Sequence, residues 1–228
     1  MNAHIARIET FPLHYPTLGH FKFFAAAPGR PAGRPSVLIK ITADDGTVGW
    51  GQSVPAPKWS YETPETVRST IDRYLAPVLI GADPFDLDGI HGQMKGAVAS
   101  SFSTGQPICK AGLDLALHDL TGKLLGQPVA HRWHRPGRDR VTLSWTLNPR
   151  TLDEIEVLIE AGRQRGYRHF NVKVAPDPKF DCEMCRLVKR LAPDGFLWAD
   201  ANGGYDEATA LELAPKLAEI GVAVFEQP

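Results

Sequence analysis

Three cysteines, Cys109, Cys182 and Cys185, are too few for a disulfide framework. A bias toward one charge is missing as well: 25 Lys and Arg stand against 26 Asp and Glu, a formal net charge of −1. That excludes the broad electrostatic attraction that draws proteins to nucleic acid or to an anionic membrane surface. No run approaches the roughly 20 apolar residues of a membrane helix. The opening residues MNAHIARIETF do not read as a signal peptide either. A reduced, cytoplasmic protein is the expectation. What is present is 43% hydrophobic and 22% charged residues over 228 positions, enough apolar matter for one or two packed domains.

The first part reads as α+β. Ile5 to His14 has the pattern of a strand, and Val37–Thr42 and Val48–Gln52 are two more, joined by the hairpin signal Asp44-Asp45-Gly46. Helical patterns cover about 63–79, 83–95 and Pro107–Leu125; in the last, Leu113, Ala116, Leu117, Leu120 and Leu124 recur at helical spacing before Gly126 and Pro128 end it. The texture then changes. Four short apolar runs begin near Val141, His169, Phe196 and Ala223, at spacings of 28, 27 and 27 residues, with a helical pattern between each pair. Thr151-x-x-Glu154 has the form of a capping box for the first helix. Asp177-Pro178 caps and opens the second, which carries Phe180, Met184, Leu187, Val188 and Leu191 on one face. Asp206 caps the third, expected to bury Ala210, Leu213, Ala214 and Leu217 and to stop at Gly221. Repeated strand–helix units imply a parallel sheet, and a repeat near 27 is close to the roughly 31 residues of one unit of an eight-fold (β/α) barrel. A doubly wound sheet is the rival, but no Gly-rich phosphate loop follows any of these strands. The expected organisation is an α+β domain over 1–128 and four βα units over 129–228.

Each of the last three strands ends in an ionisable residue, Lys173, Asp200 and Glu226, at spacings of 27 and 26 that match the structural repeat. They therefore fall at equivalent positions at the C-terminal ends of neighbouring strands, where barrel active sites lie. Charge at a buried strand end is costly unless the charges serve one another or a ligand. Two carboxylates and an amine suit a hard cation such as Mg2+ beside a base. A structural ion-pair network is the plainer alternative.

Several stretches resemble one family in order and in register. Gly166-Tyr-Arg-His-Phe-Asn-Val-Lys173 resembles the second barrel strand of the mandelate racemase / muconate lactonizing enzyme family, within the enolase superfamily; there it ends in Lys-x-Lys. Trp198-Ala-Asp200-Ala-Asn202 resembles the third, with its Asp-x-Asn, and Phe225-Glu226-Gln227-Pro228 the fourth. The helix Ala111–Lys123, followed by Leu-Leu-Gly-Gln-Pro128, is similar to the segment that leads into that barrel. The resemblance implies a capping α+β domain followed by the first half of a (β/α) TIM-type barrel, and an Mg2+-dependent enzyme that removes the α-proton of a small carboxylate. Dehydratase, racemase or epimerase, and cycloisomerase are the candidate outcomes, with a sugar acid among the candidate substrates and a homo-oligomer as the candidate assembly. It implies Asp200 and Glu226 as two of three metal ligands, Lys173 as the base, and Asn202 beside metal and substrate. Such a base must be an amine near pH 7, which burial and a nearby cation favour.

Two departures qualify this. Asn171 stands where the family has the first lysine; by strand alternation it shares the inward face with His169 and Lys173, so it is a candidate substrate-binding residue rather than a charged neighbour of the base. The third metal ligand and a second acid/base group are expected beyond Pro228, so the chain by itself is expected to be inactive. The rival readings are a Schiff-base aldolase using Lys173 and a non-catalytic interaction domain. Other features have plain readings: Cys182-x-x-Cys185 lies within one amphipathic helix, His131 and His134 flank Trp133 in a solvated basic linker, and Gly49-Trp-Gly51 is a short strand. By the resemblance, the loop Phe21–Pro35 is a lid over the barrel mouth.

Overall fold

A computed structural model describes residues 3–17, 32–101, 103–133, 137 and 140–228, the side chains of Lys58 and Trp59 excepted. They form two compact units, Met1–Gly137 and Arg138–Pro228.

In the first unit, β1 (Ile5–Tyr15), β2 (Arg34–Ala43) and β3 (Val48–Ser53) make an antiparallel sheet with β2 in the middle. Val37, Ile39 and Ile41 alternate onto the buried face of β2. Gly46 closes the β2–β3 hairpin with φ 86°, and Asp45 Oδ1 accepts the Thr47 N–H at 2.8 Å. Of the expected lid, residues 21–31 lie outside those described, and Arg34 and Pro35 already belong to β2. The short α1 (Pro57–Ser60) precedes α2 (Pro64–Thr70), which Thr63 and Thr66 cap reciprocally.

The helix expected over 63–79 is not continuous. A π turn, Ile71–Leu75, separates α2 from α3 (Ala76–Leu79). Pro77 has no N–H for the Arg73 carbonyl and its ring would crowd that oxygen; the Ala76 N–H instead bonds the Ile71 carbonyl, five residues back. The helix expected at 83 begins at Leu87 as α4 (Leu87–Ala97), because Asp86 caps it through Gly89 N–H at 3.0 Å.

The long α5 (Pro107–Leu125) runs across the sheet, burying Cys109, Leu113, Ala116, Leu117 and Leu120. Its first N–H groups are satisfied from outside the helix. Both carboxylate oxygens of buried Glu62 accept, from Ile108 and Cys109, at 2.8 Å each. Burial pushes Glu62 above the usual carboxylate range despite these bonds. Where α5 meets β3 there is no room for side chains. A Cβ on Gly51 would come within 2.0 Å of the Gly112 carbonyl, and one on Gly49 within 2.2 Å of the Ala116 carbonyl. The Gly-Trp-Gly strand is therefore a contact of backbone on backbone. On the open edge of β3, Asp119 Oδ2 accepts the Trp50 N–H at 2.8 Å and Lys123 Nζ donates to the Val48 carbonyl at 3.0 Å. The segment after α5 is solvated, as expected, with His131 and Trp133 exposed, but it also touches this unit. In α6 (Val129–Arg132), Arg132 bonds the Thr121 hydroxyl and lies 5.9 Å from the Phe85 ring. Trp133 meets His118 edge-on at 5.5 Å; His134 lies outside the described residues.

The second unit alternates β4 (Ser144–Leu147), α7 (Glu154–Gln164), β5 (His169–Lys173), α8 (Pro178–Leu191), β6 (Leu197–Asp200), α9 (Glu207–Ile220) and β7 (Val224–Glu226). The four strands are parallel in the order β4-β5-β6-β7, the topology of half a (β/α) barrel. Leu147, Phe170, Val172, Leu197 and Ala199 face the helices and pack on Ile155, Ile159, Met184, Val188, Leu213 and Leu217. Asp177 caps α8 and Asp206 caps α9 through their side chains, as expected. Three expectations fail. The first strand starts at Ser144, leaving Val141 and Leu143 exposed. The Thr151 capping box does not form: α7 begins after Asp153, and the Glu154 carboxylate reaches one residue further back, to Arg150 N–H at 2.7 Å. Ala214 is exposed and Ala210 only partly buried, because α9 covers the sheet with the narrower stripe of Leu213 and Leu217.

Gly51→Ala is expected to lower unfolding stability by about 3 kcal/mol, seen as a reduced urea midpoint. A loss below about 0.5 kcal/mol, the scale of a neutral surface change, would show that α5 can move off β3.

Candidate active site

The sheet of the second unit has one apolar face, covered by helices, and one polar face. Parallel register writes the polar face in rows. Thr146, Asn171, Trp198 and Val224 are successive Cα partners; beyond them, at the C-terminal strand ends, so are Lys173, Asp200 and Glu226. The near-equal sequence spacing of the three ionisable residues becomes adjacency in one row. His169 shares the face but sits at the other end, where its Nδ1 accepts the Phe196 N–H at 3.0 Å and ties β5 to the start of β6.

Lys173 Nζ donates to Asp200 Oδ2 at 2.5 Å, with the two side chains only 14% and 5% exposed. Asn202 holds the same carboxylate twice, through its backbone N–H on Oδ1 at 2.9 Å and its Nδ2 on Oδ2 at 3.0 Å. It can do so because it turns back with φ 49°, a left-handed conformation that Asn tolerates better than most residues. Backbone bonds continue the ladder past the strand ends, from Val174 N–H to the Asp200 carbonyl at 3.0 Å and from Gly203 N–H to the Gln227 carbonyl at 2.7 Å. Glu226 is exposed at the rim of the row.

Five buried polar atoms at these strands and loops lack a protein partner: Trp145 Nε1, Asn148 Nδ2, Asn171 Nδ2, Trp198 Nε1 and Asn202 Oδ1. A buried polar atom is costly when left unbonded, so such atoms mark places for ligand or water. Asn202 Oδ1 with Asp200 and Glu226 makes a set of oxygen donors at two neighbouring strand ends, the chemistry that suits a hard divalent cation. Among the described residues no group of three His, Cys, Asp or Glu gathers to hold a metal. Because Lys173 already occupies Asp200 Oδ2, a cation and the lysine compete for one carboxylate.

Sequence reasoning missed Asp181 and Tyr205, whose side chains meet beneath the loops that follow Lys173 and Asp200. A signal was there: Asp181, Met184, Cys185 and Val188 form one buried stripe of α8, so an acid occupies an apolar position. The Cys182-x-x-Cys185 pair belongs to that core. Burial pushes the Cys185 and Cys109 thiols up to about 12 and raises that of Cys182.

An α+β domain ahead of parallel βα units, with amine and carboxylates at consecutive strand ends, is the architecture of enolase-type barrel proteins. The first unit matches the mandelate racemase / muconate lactonizing enzyme N-terminal domain over residues 25–131, and the second matches the enolase C-terminal domain-like family over 154–228. The chain is 37% identical to a chloromuconate cycloisomerase of Cupriavidus necator over 197 residues, 84% of this chain and 52% of that protein. With an N-succinyl-L-Arg/Lys racemase of Bacillus cereus the identity is 29%, over 90% of this chain and 55% of the relative. The solved structure of the Bacillus cereus N-succinyl Arg/Lys racemase superimposes with a TM-score of 0.87 at 26% identity, covering 99% of this chain and 59% of the other. That of a Rhodococcus opacus 2-chloromuconate cycloisomerase gives 0.82 at 27%, covering 100% and 60%. The chain belongs to the mandelate racemase / muconate lactonizing enzyme family of the enolase superfamily. It spans about half the length of the curated relatives it matches.

The three thiols are expected to resist Ellman's reagent at pH 8 in the native protein and to react together in denaturant. Fast native reaction of one equivalent, lost in Cys182→Ser, would show that the α8 pair is accessible after all.

Proposed function

We propose that the protein is an Mg2+-dependent isomerase that removes the α-proton of a small carboxylic acid. The observation that carries this reading is the bond from Lys173 Nζ to Asp200, with Glu226 in the same row of strand ends. Lys173, as the amine, takes the proton at Nζ. Asp200 and Glu226 hold the cation, with Asn202 Oδ1 beside them. Asn202 also fixes the Asp200 carboxylate through two N–H groups. Asn171, one row below Lys173, offers its free Nδ2 to a substrate oxygen. Bound Mg2+ supplies positive charge where negative charge develops on the substrate carboxylate.

Dehydration and sugar-acid substrates belong to the range read from the sequence. The named relatives, cycloisomerases of chloromuconate and a racemase of N-succinyl-Arg/Lys, favour isomerisation of an acid with a longer or substituted chain. Relatives of nearly twice the length supply more of the barrel, so the activity is proposed for a protein with the barrel closed, and the 228 residues alone are expected to show none. Exposed Val141, Leu143, Phe196 and Val224 favour further burial, against the rest of a barrel or in a homo-oligomer. Among the described residues, no helix is long and apolar enough to cross a membrane.

The test is solvent deuterium uptake at the α-carbon of candidate acids, read by proton NMR on protein with the whole barrel. Lys173→Ala is expected to slow uptake by about 10²- to 10⁴-fold, and chelator to stop it. Mg2+ at ten times its Kd is expected to stabilise the fold by about 1.4 kcal/mol, an effect lost in Asp200→Asn and Glu226→Gln. Full uptake in excess chelator would sink the proposal, and trapping of substrate on Lys173 by borohydride would replace it with a Schiff-base aldolase.

A further inference from the structure

Below the strand ends, one carboxylate and one phenol link the two loops on which the Lys173–Asp200 pair depends. Asp181 lies in the first turn of α8 and is 3% exposed. Its Oδ2 accepts the Ala175 N–H at 2.9 Å and the Tyr205 hydroxyl. The Tyr205 oxygen is itself 3.0 Å from that N–H. Ala175 stands two residues beyond Lys173 and is held at φ 71°, where an alanine rarely sits. Tyr205 stands three residues beyond Asn202, its ring edge against Phe225 of β7 at 6.1 Å. The loops also touch directly, since a Cβ on Gly204 would fall 2.6 Å from the Ala175 Cβ. The Val174–Asp200 backbone bond joins the same two segments at the strand ends.

Stability alone does not account for the acid. An apolar residue in the stripe of Met184, Cys185 and Val188 would avoid the cost of burying a carboxylate. Burial, the hydrogen bond to Asp181 and that residue's charge push the Tyr205 phenol far above its ordinary value, which keeps its hydroxyl as the donor in this contact.

We propose that Asp181 and Tyr205 are positioning residues, a carboxylate–hydroxyl clamp that fixes the loop leaving Lys173 to the loop leaving Asp200 and so sets the lysine nitrogen against the aspartate. Its catalytic meaning rests on the reading of Lys173 and Asp200 given above; the clamp itself does not. Positioning of this kind matters because a displacement of about 1 Å can cost on the order of a hundredfold in rate.

Tyr205→Phe removes only the hydroxyl and tests the clamp on this chain without metal or substrate. The Ala175 and Asn202 amides are expected to exchange with deuterium about tenfold faster, while Phe170 and Val172 in β5 keep their protection. The Lys173 side-chain ¹⁵N signal, identified by its loss in Lys173→Ala, is expected to move toward that of a free lysine. Leu213→Ala, a core truncation that weakens the same unit, should leave that signal in place. Asp181→Asn is the second variant, expected to shift it in the same direction. Unchanged exchange at Ala175 and Asn202 would overturn the clamp. Faster exchange with an unmoved Lys173 signal would overturn its positioning role. If the wild type fails to respond to Mg2+, the functional reading falls while both of these readouts stand.

Discussion

A slip of one residue between β5 and β6 would empty the site. Side chains alternate across a strand, so the slip would turn Phe170, Val172 and Val174 to the polar face and force Lys173 among Met184 and Val188 of α8. The apolar side of the sheet forbids this. Leu147, Phe170, Val172, Leu197 and Ala199 are all nearly inaccessible against the helices, and their burial locks the register. The polar row of Lys173, Asp200 and Glu226 is the reverse side of that packing. The chemistry is thus positioned by residues that never touch it.

Two buried carboxylates, one in each unit, work in a similar way. Glu62 gives both oxygens to the first N–H groups of α5, and Asp181 ties the N-terminal turn of α8 to the loop before it. Each sits near a helix N-terminus, where the backbone dipole favours negative charge. Each also accepts hydrogen bonds from backbone N–H, Glu62 from Ile108 and Cys109 and Asp181 from Ala175. In both places a charge that weakens the core in isolation gives a loop one defined path.

Most of this architecture was legible because it repeats. The near-constant spacing of strand starts identified the βα units, and the same spacing among Lys173, Asp200 and Glu226 identified the row. Caps with a local cause, Asp177 before Pro178 and Asp206 before Thr209, were legible too. The Thr151 box was not, because Glu154 found the Arg150 N–H one residue earlier than the motif requires. The break at Ile71 was missed because the helical period runs straight through Pro77, and only a widened turn reconciles the two. Ala214 has the right spacing for burial, but spacing gives a direction and not the width of the surface covered. Asp181 and Tyr205 lie 24 residues apart and meet only once both loops are folded, so no local pattern joins them.

The edge of β3 carries side chains that oppose pairing with another strand. An outer strand offers a free row of donors and acceptors on which another strand can template itself. Here α5 closes that row with its own side chains, Asp119 on the Trp50 N–H and Lys123 on the Val48 carbonyl, and the two are bonded to each other at 2.6 Å. An incoming strand would have to break an ion pair and desolvate both charges before making its first hydrogen bond. The helix that builds the core therefore also acts as the guard of the sheet, and growth into a cross-β aggregate along this edge is opposed by two side chains one helical turn apart.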